Sequence, residues 1–159
     1  MRRRHLLLLL AALPAMARAQ EDNITGPQPK LPTEKLTIIT KDGTHHDFTV
    51  ELATTPREQE IGEMFRKEVP PGQGMLFVWQ FAHESPFWMK NTLVPLDMVF
   101  INPDGTIRAI AENAVPESLA PIPSHGPVLA VLELAGGTTA RLNIVVGDKV
   151  VAKQFTQTG

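Results

Sequence analysis

Lys90, Asn91 and Asp97 are set in a run dense in large apolar side chains, SPFWMKNTLVPLDMVFI, residues 85–101. Their neighbours include Phe87, Trp88, Met89, Leu96, Met98 and Phe100. A lone charge buried among such side chains is costly, so Lys90 and Asp97 must be paired, hydrogen-bonded or open to water. In one arrangement the two form an internal ion pair, or Asp97 accepts backbone amides at the bend made by Pro95. In the other, Lys90, Asn91 and Asp97 form the mouth of a pocket walled by Trp88 and Phe87. An ammonium, an amide and an acid would there hold a small polar ligand against an aromatic face.

Two further acids stand in suspicious company. Glu112 closes the segment TIRAIAE, and Glu133 interrupts the apolar run VLAVLEL, sharing a strand face with Val131. Glu112 with Glu133 or Asp97 supplies the residue types of a two-carboxyl hydrolase, in which one acid is protonated and the other ionised. Other chemistries find less. His45, His46, His83 and His125 lack zinc-binding spacing, so no metal is expected. Ser85, Ser118 and Ser124 lack a G-x-S-x-G elbow, and Ser124-His125 reads as a solvated turn. There is no cysteine for thiol chemistry. Gly136-Gly137 lacks the lysine and helix of a phosphate loop, and no cofactor is expected. Met64, Met75, Met89 and Met98 are too scattered for a copper site and read as core filling.

The elements that must position these residues are mostly strands. Leu36–Thr40 and Thr44–Leu52 flank an Asp42-Gly43 turn. Thr55-Pro56-Arg57-Glu58 is a capping box with proline at the first helical position, so a short helix is expected over about 56–66. Its apolar stripe is Ile61, Met64 and Phe65. Met75–Trp79 reads as a short strand buried on both faces, and the run 85–101 as two strand segments broken near Asn91–Pro95. Thr106–Glu112 returns after the Pro103-Asp104-Gly105 turn. Pro116, Pro121, Pro123 and Pro127 make 114–127 a long surface loop. Val128–Leu134 is a strand, Thr138–Leu142 one helical turn, and Ile144–Ala152 a final hairpin. The expected fold is mostly β, a compact β-sandwich or barrel with one short helix.

FWMKNTLVPLDMVFI, with GEMFRK and GMLFV before it and VLELAGGTTARLNIVVGD after it, resembles the domain of unknown function 192 family over roughly Lys35 to Val151. The resemblance implies a jelly-roll-like β domain without an assigned role. Members are usually apolar where this chain carries Glu63. Many carry cysteines near the positions of Pro116 to Ser124, and their absence here weakens a redox reading.

The N-terminus bounds the compartment. Residues 1–19 give a basic start, an apolar run Leu6–Leu13 and an Ala17-Arg18-Ala19 cleavage site, the order of a signal peptide. A membrane span needs about 18 apolar residues or more, so cleavage after Ala19 is expected, with no stable membrane insertion thereafter. Cleavage removes four arginines from a chain with 15 basic and 17 acidic residues, leaving 11 against 17 and a net charge of −6. That acidity argues against nucleic acid as a partner. Residues 20–34 read as a flexible linker, 35–153 as a single domain and 154–159 as a tail. The expectation is a periplasmic or secreted binding or interaction module for a small polar ligand or an envelope protein. The ligand residues would be Trp88, Lys90, Asn91, Asp97 and Glu112. The alternatives are a hydrolase using Asp97, Glu112 or Glu133, and a purely structural envelope partner.

Overall fold

The computed structural model describes residues 23–155. The expected signal peptide and the last four residues of the expected tail lie outside the described residues. Seven strands dominate: β1 Thr33–Ile39, β2 His45–Ala53, β3 Gln73–Glu84, β4 Leu96–Ile101, β5 Ile107–Ala114, β6 Pro127–Ala135 and β7 Lys149–Val151. They form one mixed sheet in the order β5-β4-β6-β3-β2-β1-β7. All neighbours are antiparallel except β2 and β3, whose parallel pairing requires the crossover that contains helix α1, Pro56–Ile61. The sheet curls until its edges meet. Val150 donates to the Gly105 carbonyl and Ile107 to that of Asp148, each at 2.8 Å, and Thr106 bridges Lys149. The mostly β, barrel-like class expected from the sequence is therefore the one observed.

Strand alternation divides the apolar residues between two cores. The inner one, enclosed by the curl, includes Ile38, Val50, Leu76, Val99 and Leu132. The outer one includes Met75, Phe77, Met98, Phe100 and Val131. β4 serves both and is buried at all six positions, which is why its sequence is a nearly continuous apolar run. The cover of the outer core is the expected loop together with the segment before β4. Phe87 and Ile122 exchange backbone bonds at 2.9 and 2.7 Å, Met89 donates to Ser118, and Glu117 donates to Thr92.

Several expectations are corrected here. The run 85–101 holds one strand and not two, because Asn91 adopts φ 54° and turns the chain between Met89 and Thr92. Ser124 is fully buried and not solvated: its hydroxyl accepts from the Ser85 amide and donates to the Gly126 carbonyl. The final hairpin does not form, since β7 pairs with β1 instead of 144–146. The expected linker is pinned in its second half. Gln28 donates to the carbonyls of Glu58 and Gly62, and the Leu31 amide to Glu51 at 2.7 Å. At the other end Phe155 is buried in the inner core, so the folded chain runs past 153.

α1 begins as the sequence dictates. The Thr55 hydroxyl accepts the Glu58 amide at 3.3 Å, and the Glu58 carboxylate accepts the Thr54 and Thr55 amides at 2.9 Å. It ends earlier than expected, at Ile61. Gly62 has φ 49°, and a Cβ there would lie 2.9 Å from the Phe77 ring, so only glycine lets the chain turn this close to the sheet. That turn delivers Glu63 and Met64 to the outer face.

A candidate ligand cavity

Asp97 and Glu133 were the two acids most out of place in sequence, and the structure treats them in opposite ways. Asp97 begins β4 on its inner face, where Gly137 and helix α2, Thr138–Arg141, close the end of the curl. Its carboxyl is wholly buried and accepts four bonds at 2.7 to 2.9 Å: from the amides of Asn113, Gly137 and Thr139 and from the Thr139 hydroxyl. Glu112 is exposed and touches the same hydroxyl only at 3.4 Å. This end of the molecule is a bolt that joins β4, β5 and the β6–α2 turn.

Glu133 projects from β6 onto the outer face, in register between Met75 of β3 and Met98 of β4. It is 5% exposed and makes no hydrogen bond or ion pair among the described residues. Its nearest charged groups are Glu63 and Arg66. Arg66 is already committed: its two terminal nitrogens bind Glu51 at 2.6 and 2.9 Å, and its Nε lies 3.1 Å from Glu63 Oε2. That last approach is a charge contact without hydrogen-bond geometry, and Glu63 Oε2 has no hydrogen-bond partner. Burial pushes the Glu63 carboxyl up from 4.5 to about 7 against the pull of Arg66, with Glu51 adding repulsion. Burial, then repulsion from Glu63, lifts Glu133 well above the ordinary carboxyl range. Glu51 goes the other way: burial opposes, but the Arg66 and Leu31 bonds outweigh it and hold it low.

Glu63 and Glu133 line one cavity of about 380 Å³ between α1 and the outer core. Phe77, Trp79, Phe87 and Trp88 supply its aromatic wall, and His83 and Lys90 also line it. The rings lock edge to face: Phe87 meets Phe77 at 5.1 Å and Trp79 at 6.1 Å, and Trp79 meets His83 at 4.9 Å. Trp88 is 47% exposed, with the Lys90 ammonium 5.0 Å from its ring centroid. Of the five residues expected to bind, the structure therefore brings Trp88 and Lys90 to this cavity. Asn91 is in the turn below it, where its carbonyl accepts from Phe65 and its amide nitrogen reaches the Met64 sulfur at 3.8 Å. Asp97 and Glu112 are together at Thr139 and are not among the lining residues. Lys90 and Asp97 are not a pair.

Glu63, Trp79 and His83 were missed. Trp79 and His83 fall at the ends of a break in β3, where four residues, 79–82, stand opposite Leu129 alone. Nothing in VWQFAHE marks that bulge. Among the described residues no cluster of histidine and acidic side chains is arranged to hold a metal ion, and no helix is long and apolar enough to cross a membrane.

The described residues form a small β domain, a curled seven-stranded sheet with an aromatic-walled cavity outside the curl. The chain belongs to the domain of unknown function 192 family, described as "Uncharacterized ACR", whose pattern matches residues 37–152. It is similar to a solved protein from Sinorhizobium meliloti 1021 described as a "putative transcription regulator", at 46% identity and a TM-score of 0.78, covering 80% of this chain and 98% of that one. It is also similar to a protein of unknown function from Novosphingobium aromaticivorans DSM 12444, at 42% identity and a TM-score of 0.75, covering 83% and 95%. No curated protein matches the chain.

Proposed function

We propose that this chain is an exported binding module that takes a small polar ligand in the cavity between α1 and the Phe87–Trp88 wall. One observation carries the reading: Glu133, buried and without a hydrogen-bond partner among the described residues, lines a cavity of about 380 Å³ together with four aromatic side chains, a size and lining suited to a small molecule. A ligand that brings a hydrogen-bond partner to this carboxyl gains about 1–3 kcal/mol. The transcription role attached to the Sinorhizobium protein finds no support in the charge of this chain, which has 17 acidic residues against 15 basic ones.

The test is a fragment screen by thermal shift on wild type, Trp88→Ala and Lys90→Ala. Hits that raise the wild-type melting temperature and lose their effect in both variants support the site; hits indifferent to both overturn it. Export is checked separately, by mass spectrometry of the protein recovered from the periplasm or medium. A chain beginning at Gln20 is the expected result. A second reading, hydrolysis by two carboxyl groups, is favoured by Glu63 and Glu133 sharing one cavity, and it moves that chemistry away from Asp97 and Glu112. Turnover of aryl glycosides, abolished in Glu133→Gln, would support it; absence of turnover across the series removes it.

A further inference from the structure

We infer that the ligand of this cavity carries a protonated amine at its buried end and a hydrogen-bond acceptor at its outer end. In this arrangement the amine is seated against Trp79 and Phe87 with Glu133 as counter-ion, and the acceptor meets Lys90. The inference rests on the cavity being a ligand site and names what that site selects.

Four features of the site converge. First, Glu133 is 5% exposed and without a partner among the described residues, and Glu63 Oε2 accepts no hydrogen bond. The floor thus presents carboxyl groups with no hydrogen-bond partner among the described residues. Second, Arg66 is committed before it reaches Glu133: it is held bidentate by Glu51, and its remaining nitrogen faces Glu63. Third, the walls are aromatic, and ring faces attract an organic cation while tolerating its apolar body. Fourth, the mouth carries a cationic donor: Lys90 is exposed at the Trp88 rim, alongside the exposed carboxyl groups of Glu60 and Glu84. A simple cation would satisfy the floor but bring no acceptor to Lys90, and a simple anion the reverse. A molecule with an amine at one end and an acceptor at the other satisfies both.

The remaining charged groups do not alter this. Glu60 and Glu84 also line the cavity, from α1 and β3, and add negative charge; His83 is engaged by its ring with Trp79 and through Nδ1 with the Phe81 carbonyl at 3.1 Å. Burial favours the uncharged form of Glu133, and an entering ammonium favours its ionised form.

The experiment uses three probes with one scaffold: 4-(aminomethyl)benzoate, benzylamine and 4-(hydroxymethyl)benzoate. Binding is followed by the Trp79 and Trp88 indole resonances and by calorimetry. Expected are 4-(aminomethyl)benzoate as the tightest, benzylamine a few-fold weaker, and the hydroxymethyl analogue weaker by at least tenfold. Glu133→Gln, which preserves shape, should erase the preference for amine over hydroxyl. Lys90→Ala should erase the advantage of the carboxylate. Equal binding of the amine and hydroxyl compounds, or an amine preference that survives Glu133→Gln, overturns the inference while leaving the cavity as a ligand site. No response of either indole to any of the three overturns the inference, and the fragment screen then decides whether the cavity reading fails with it.

Discussion

Two buried acids, Asp97 and Glu133, stand in neighbouring registers of the β4–β6 pair on opposite faces of the sheet, Asp97 beside Leu134 and Glu133 beside Met98. One points into the end of the curl and accepts four hydrogen bonds; the other points out of it and accepts none. Both interrupt apolar runs, so local sequence marks them equally. What separates them is the backbone that arrives from elsewhere. The turn at Gly137, with φ 80°, and the first turn of α2 aim amides at Asp97, whereas the bend at Gly62 brings Glu133 another carboxyl. A charge among apolar residues thus marks either a keystone or a site, and the count of donors around it decides which.

The largest expected effect breaks the keystone. Asp97→Ala strands three amides and a hydroxyl, and should cost about 3–5 kcal/mol in chemical denaturation. The next sharpens the contrast by pH. The folded state holds a proton on Glu63 up to about pH 7, against 4.5 for the ordinary group, and Glu133 is displaced in the same direction. The contribution of Glu63 to stability is therefore fully present below about pH 4.5 and is lost as pH rises through about 7, and that of Glu133 also falls with rising pH. The limiting slope is about 1.4 kcal/mol per pH unit for each group. Glu51, held low, acts with the opposite sign and weakens the fold as pH falls. Denaturation midpoints measured across this range should decline with pH in wild type and decline less in Glu133→Leu.

That same variant reverses the effect of the keystone change. Glu133→Leu removes an unsatisfied carboxyl from an apolar face and should stabilise the fold by about 1–2 kcal/mol. A loss of similar size would mean that Glu133 has a structural partner after all. The smallest effect is at the cavity's edge: Thr55→Ala removes half of the α1 capping box and should cost about 1 kcal/mol. It should weaken probe binding near α1 and leave the amide exchange of Asn113 and Thr139 unchanged.

Much of the frame was legible in the chain. The capping box at Thr55–Glu58, the turns at Gly43 and Gly105, the alternation in β2 and the apolar run of β6 each follow from local rules, and each stands in the structure. The site was only half legible. Trp88 and Lys90 were marked by their apolar surroundings, and so was Glu133, but as a hydrolytic acid and without Glu63. The meeting of Glu63 with Glu133 is set by a glycine bend packed on Phe77, and the saturation of Asp97 by amides 16, 40 and 42 residues away. Neither leaves a local pattern. The second strand expected in 85–101 failed for a related reason: the left-handed turn at Asn91 is chosen by its contacts with Phe65 and Met64.

The most direct test compares the two acids in one sample, by following the side-chain carboxyl carbons of Asp97 and Glu133 by NMR while 4-(aminomethyl)benzoate is added. The Glu133 resonance should move towards its ionised position, and that of Asp97 should stay fixed. Movement of Asp97 with Glu133 unmoved would contradict the account.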